Sequence, residues 1–148
     1  MCGIDHPLEV GGWVNAACVR AGVPFIRAGM RVTTGLVLSV DPGRSACCTC
    51  IGTAADLTPD DAAVAELFRS RTSPNRGIGP VAGLLGSLSA FEALRYLTGF
   101  EPPAYAARQL TIDFAHGCAT TVSPWTKRPD CPDCGPAAAA TQGGGEHP

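Results

Sequence analysis

The residues in this chain best placed to do chemistry are its cysteines. There are eight in 148 residues: Cys2, Cys18, Cys47, Cys48, Cys50, Cys118, Cys131 and Cys134. Four of them form two Cys-x-x-Cys steps, Cys47-Cys48-Thr49-Cys50 and Cys131-Pro132-Asp133-Cys134. Two residues between ligands put both thiolates on one side of a tight knuckle, and two knuckles complete a tetrahedral four-cysteine zinc site. Gly135, directly after the second pair, suits the knuckle turn. The pairs lie 80 residues apart, much farther than in a zinc ribbon, so the metal is expected to staple the C-terminal end onto the middle of a folded domain. Two other readings compete. A thioredoxin-like redox pair needs a helix N-terminus straight after a strand, and no helical pattern follows Cys47 directly. The other reading is two unrelated pairs. The repeated spacing favours structural zinc. Cys48, between the ligands, reads as an incidental small residue. Cys2, Cys18 and Cys118 read as core residues, since free Cys behaves as a small hydrophobe.

A closed set of four thiolates leaves no open position for a catalytic water, so reactivity must come from elsewhere. Asp5 ends a short apolar segment, Met1-Cys2-Gly3-Ile4, and is followed by His6-Pro7. The carboxyl end of a strand in an open α/β sheet is where ligands bind, and a carboxylate there can hold Mg²⁺ on nucleotide phosphates. Read from residues alone, a helix-capping Asp competes with that role. His6 reads as a turn residue, and Asn15 as a polar residue on an exposed helix face. Gly77-Ile78-Gly79-Pro80-Val81-Ala82 imitates a dinucleotide fingerprint, which requires a preceding strand. The Arg-rich segment Arg69 to Arg76 precedes it instead, so Pro80 is better read as the first turn of a helix.

The elements that must position these groups follow from periodicity. Residues 8–21 form a helix candidate with Leu8, Val10, Val14, Ala17, Cys18 and Ala21 inward, stopped by Gly22. Residues 24–28 and 33–40 read as strands, the second closed by the turn Asp41-Pro42-Gly43. Residues 59–70 form a second helix candidate, with Thr58 as N-cap and Pro59 at its first position. Residues 80–98 form the strongest helix, with Val81, Leu84, Leu85, Leu88, Phe91, Leu94 and Leu97 on one apolar face and Gly99 closing it. Gly83 and Gly86 would let another backbone approach. Residues 110–113 and 120–122 read as short strands of a hairpin around His116-Gly117. Residues 136–148, an Ala run and a Gly triplet, read as a disordered tail.

Composition narrows the class. With 45% hydrophobic and 16% charged residues the chain is globular rather than disordered. A net charge of −2 argues against nucleic acid as a partner. The longest apolar stretch contains Glu92 and Arg95, too polar for a membrane span. The N-terminus shows no basic-then-apolar leader pattern. The expectation is a cytoplasmic protein whose clustered thiols serve a metal.

Several blocks carry a resemblance. They are Asp5-His6-Pro7, then Trp13-Val14-Asn15 with Cys18-Val19-Arg20-Ala21, then Pro24-Phe25-Ile26 with Ala28-Gly29. After the first Cys-x-x-Cys come Gly79-Pro80-Val81, Gly83, Gly86-Ser87-Leu88, Ala90 and Glu92-Ala93-Leu94, and last the closing Cys-x-x-Cys-Gly. In this order they resemble the ThiF/MoeB superfamily of ubiquitin-activating-enzyme-like adenylyltransferases, and the stretch from Asp5-His6-Pro7 through Trp13-Val14-Asn15 to Cys18-Val19-Arg20-Ala21 looks most like the MccB-like, peptide-adenylating branch. The resemblance runs from residue 3 to 135. It implies the C-terminal half of a Rossmann-like α/β domain over residues 1–135: a mixed sheet with antiparallel C-terminal strands, helices packed on it, and a zinc knuckle pair. It implies Mg²⁺- and ATP-dependent adenylation of the C-terminal carboxylate of a peptide or a small ubiquitin-like or sulfur-carrier protein. Asp5 matches the metal-binding aspartate of the family, and Cys47, Cys50, Cys131 and Cys134 match its structural zinc ligands. No cysteine lies between Arg69 and Gly79, where sulfur-carrier-activating members often have one, so adenylation without a thioester step is expected. The family's glycine-rich nucleotide loop belongs to an N-terminal half that has no counterpart here. The alternatives are therefore a truncated, inactive remnant, or a zinc-stapled structural module. A homodimer or a complementing N-terminal half is the partner the resemblance implies.

Overall fold

The computed structural model describes residues 1–3, 9–51 and 77–136. Asp5, the helix candidate 59–70, the Arg-rich segment 69–76 and the tail from residue 137 lie outside the described residues.

Helix α1 spans Val10–Ala21 and ends on Gly22, whose left-handed φ of 65° lets its N–H reach back to Cys18 and Val19. Strands β1 (Phe25–Arg31) and β2 (Thr34–Val40) follow as a hairpin. Cys48–Ile51 makes a short 3₁₀ turn. Helix α2 spans Gly79–Thr98, with proline in its first turn and Gly99 as its C-cap, as the glycine-proline start predicts. Strands β3 (Arg108–Asp113) and β4 (Ala119–Pro124) complete the order.

The sheet is a four-stranded meander, β1-β2-β3-β4, in which every neighbouring pair is antiparallel. A parallel element enters at the edge, where Cys2 bridges Arg27 and exchanges hydrogen bonds with Ile26 and Ala28. That edge is the strand end expected for the N-terminal segment. The β3–β4 connection is the expected hairpin, tightened by the 3₁₀ turn Phe114–His116 and by Gly117 in the left-handed region. The strands run longer than the 24–28, 110–113 and 120–122 expected, because sheet pairing recruits polar residues such as Arg108, Gln109 and Ser123 that carry no apolar signal.

Strand alternation sorts the core into two sides. Ile26 and Val37 pack under Val81 and Leu85 of α2. Gly35 makes this approach possible, since a Cβ there would meet the Leu85 methyl groups at 2.8 and 3.1 Å. Phe25 and Val40 point the other way, into a cluster with Cys2, Ala46, Cys47, Cys50 and Cys131, which α1 covers with Val14, Cys18 and Val19.

Both helices sit differently from their hydrophobic stripes. On α2 the buried line is Val81, Leu85, Ser89 and Glu92, while Leu84, Phe91, Leu94 and Leu97 are exposed. Only Val81, Leu85 and the partly buried Leu88 of the expected face turn inward. The cause is Glu92: its carboxylate is anchored beneath the helix and fixes the rotation. On α1 the buried residues are Gly11 and Asn15, and Ala17 faces solvent. Nothing lies within 4 Å of a Cβ built at Gly83 or Gly86 among the described residues. Cys118, expected in the core, is exposed on the hairpin turn with φ 62°.

Candidate metal centre

The fold brings the two Cys-x-x-Cys steps together. The Sγ atoms of Cys47, Cys50, Cys131 and Cys134 all lie within 4.8 Å of one another. Three of the separations are 3.9 Å for Cys47–Cys50, 3.6 Å for Cys47–Cys131 and 3.4 Å for Cys50–Cys134. A tetrahedral ion with metal–sulfur bonds of about 2.3 Å asks for sulfur–sulfur edges of about 3.8 Å, whereas a disulfide needs about 2.0 Å. The spacing is that of ligands around an ion. The cluster can therefore hold a metal.

Each knuckle is shaped by its backbone. The Cys50 N–H donates to the Cys47 carbonyl at 3.1 Å, and the Gly135 N–H to the Cys131 carbonyl at 2.9 Å. Gly135 is required there: a Cβ would stand 2.5 Å from the Cys131 carbonyl oxygen and 2.8 Å from that of Pro129. The Trp125 indole N–H donates to the Cys47 carbonyl at 3.0 Å, tying the end of β4 to the first knuckle.

N–H groups aim at the sulfurs, as thiolate ligands demand. The Arg128 backbone N–H points at Cys50 Sγ, 3.4 Å away. Burial pushes the Cys47 and Cys134 thiols up. Burial acts on Cys131 too, but the N–H groups of Cys134 and Asp133, with the neighbouring sulfurs, outweigh it and bring this thiol below its ordinary value. A dication held by these four thiols would displace the remaining protons. Cys48 is not part of the cluster. Burial pushes its thiol up to about 12.

Sequence reasoning missed Asn15. Assigned to an exposed helix face, it is fully buried. Its amide donates to Asp133 Oδ2 at 2.8 Å and to Thr49 Oγ1 at 3.2 Å, and its carbonyl accepts from the Cys48 backbone N–H at 2.9 Å. No local signal marked it: the line through Gly11 and Asn15, four residues apart, is seen to face inward only in the folded chain.

Glu92 is the second buried polar anchor. Its carboxylate accepts from the Ser39 hydroxyl at 2.8 Å, the Ala104 N–H at 3.0 Å and the Tyr105 N–H at 2.9 Å. Arg95 approaches to 3.7 Å. Tyr96 donates to Ser39 Oγ at 3.1 Å, and burial pushes its hydroxyl up to about 12, so it remains a donor. This network pins the loop between α2 and β3 to β2.

Comparison with known proteins places this geometry. The profile of the ThiF family matches residues 1–133. The HesA protein of Leptolyngbya boryana is 29% identical over 131 residues, covering 82% of this chain and 39% of HesA. The sulfur carrier protein ThiS adenylyltransferase of Escherichia coli K12 is 34% identical over 92 residues, covering 62% of this chain and 33% of that enzyme. The crystal structure of Escherichia coli MccB superposes with a TM-score of 0.73 and 25% identity, over 90% of this chain and 38% of MccB. The chain thus spans two-fifths or less of the length of these relatives. With the family profile covering nearly all of the sequence and the MccB fold reproduced around a four-cysteine centre, the chain belongs to the ThiF family.

Proposed function

We propose that this chain is the C-terminal part of an adenylyltransferase that activates the C-terminal carboxylate of a peptide or of a small ubiquitin-like or sulfur-carrier protein. The observation that carries the reading is the match to MccB over 90% of the chain, a protein also solved in complex with N-formylated MccA. In the reaction a carboxylate oxygen bonds to the α-phosphorus of ATP and the bond to pyrophosphate breaks. Catalysis is then mostly positioning and charge neutralisation. Asp5 is assigned to Mg²⁺ on the nucleotide phosphates, by its match to the family aspartate. The Cys47, Cys50, Cys131 and Cys134 centre is assigned to structural zinc, and residues 1–135 to one folded unit. The absence of cysteine from Arg69 to Gly79 supports adenylation without a thioester step. The compartment that suits free thiols poised for metal is the reducing cytoplasm.

A second reading rests on the four-cysteine cluster, which staples two distant segments of the chain and serves a structural role by itself. On it, the chain is a zinc-stapled module whose role is to pair with a partner, in a homodimer or with a nucleotide-binding half. ATP–pyrophosphate exchange separates the readings. Exchange by the 148-residue chain, lowered at least about a hundredfold by Asp5→Asn, establishes the enzyme. Exchange only after adding the nucleotide-binding half of a relative establishes the module. No exchange in either preparation overturns the adenylyltransferase assignment.

A further inference from the structure

Asn15 sits where one side chain can reach both knuckles. It is fully buried, and it belongs to α1, not to either Cys-x-x-Cys step. Its carbonyl takes the N–H of Cys48 at 2.9 Å, and its amide gives to Thr49 at 3.2 Å and to Asp133 at 2.8 Å. Thr49 in turn donates its hydroxyl to the same Asp133 oxygen at 2.5 Å. Cys48 and Thr49 are the two spacer residues of the first knuckle, and Asp133 is a spacer residue of the second. The closed triangle therefore links the two ligand pairs through Thr49 and Asp133, 84 residues apart in sequence, without passing through a sulfur.

We propose that Asn15, Thr49 and Asp133 form a polar clasp that positions the two knuckles for the metal, with Asn15 as its pivot. The proposal rests on the reading of the four cysteines as a metal centre. The chemistry selects Asn15 closely. Aspartate would place a second carboxylate against Asp133. Alanine would leave the Cys48 N–H and the Asp133 carboxylate short of partners in a buried site. Glutamine is one methylene too long for both contacts. Partners behind metal ligands commonly contribute a factor of about 10–100 in metal affinity. Here they act by holding the ligands at metal spacing rather than by binding the ion.

The test uses the full chain and its variants, titrated with Co²⁺ for the tetrathiolate spectrum and with Zn²⁺ against a chelator. Asn15→Asp is expected to weaken Zn²⁺ binding about 10–100-fold. Asn15→Asp combined with Asp133→Asn is expected to recover most of that loss, because amide and carboxylate exchange places and the triangle closes again. Asp133→Ala, on a partly exposed turn, is expected to lose affinity and release metal faster. Leu85→Ala, in the α2 core, lowers stability without changing the metal release rate, which separates positioning from general destabilisation. The clasp is overturned if Asn15→Asp and Asp133→Ala bind Zn²⁺ as the parent does, or if the double variant is no better than the sum of its singles. A parent chain with no tetrathiolate Co²⁺ spectrum overturns the metal reading itself, and the clasp with it.

Discussion

Replacing Glu92 by glutamine changes one oxygen to an NH₂ group in a site with no room to rearrange. The carboxylate accepts three hydrogen bonds, from Ser39, Ala104 and Tyr105. Turned its less harmful way, the new amide nitrogen faces the Ala104 N–H, donor against donor, and leaves that group unpaired. An unpaired buried donor costs about 1–3 kcal/mol, and each bond that loses its charged acceptor weakens by about 1 kcal/mol. The structure therefore sets the penalty at about 4 kcal/mol for one unpaired donor and two weakened bonds. At about 2–4 °C per kcal/mol for a domain of this size, Tm falls by roughly 12 °C. The assay is urea and thermal unfolding followed by circular dichroism, with Zn²⁺ saturating so that metal linkage does not enter the comparison. A loss below about 1 kcal/mol, the scale of an ordinary neutral hydrogen bond, would show that the carboxylate is not the anchor of the loop between α2 and β3.

Other expectations follow from the same geometry. Cys131→Ser should abolish tetrathiolate metal binding and broaden or lower the melting transition, because the binding energy of a structural site is folding energy; a variant with full metal content and an unchanged melt contradicts the centre. Val81→Ala should cost about 1–3 kcal/mol in urea unfolding while Leu97→Gln costs under about 0.5, since the first is buried and the second 81% exposed; equal losses would contradict the observed rotation of α2. The His116 side chain, 2.8 Å from Asp113, holds that carboxyl below its usual range. This contribution is present above the unfolded carboxyl pKa and is lost as pH falls through the lowered folded value. Both groups are exposed, so His116→Ala should move the Asp113 titration upward in NMR without a detectable change in melting; an unmoved titration would refute the pairing.

Much of the architecture could be read from short-range rules. Gly22 and Gly99 end their helices because only a residue tolerant of positive φ closes the last turn. Pro80 starts α2 because its missing N–H is harmless in a first turn. Gly135 follows the second knuckle because any side chain there meets backbone. These signals act over a few residues and survive in the sequence. The rotation of α2 did not. Its charges are confined to Glu92 and Arg95 and its apolar residues occur on every side, so periodicity could not choose a face. Glu92 chose it, through Ser39 and the loop at Ala104 and Tyr105.

The division is clearest at the metal centre. By itself the sequence determined the four candidate ligands, since a Cys-x-x-Cys knuckle is a local object whose two sulfurs converge whatever surrounds them. Only the tertiary structure decided that the two knuckles meet, and that Asn15, thirty-odd residues from one and far from the other, joins them. A buried amide is held by partners remote in sequence. Its burial is therefore invisible until the chain has folded.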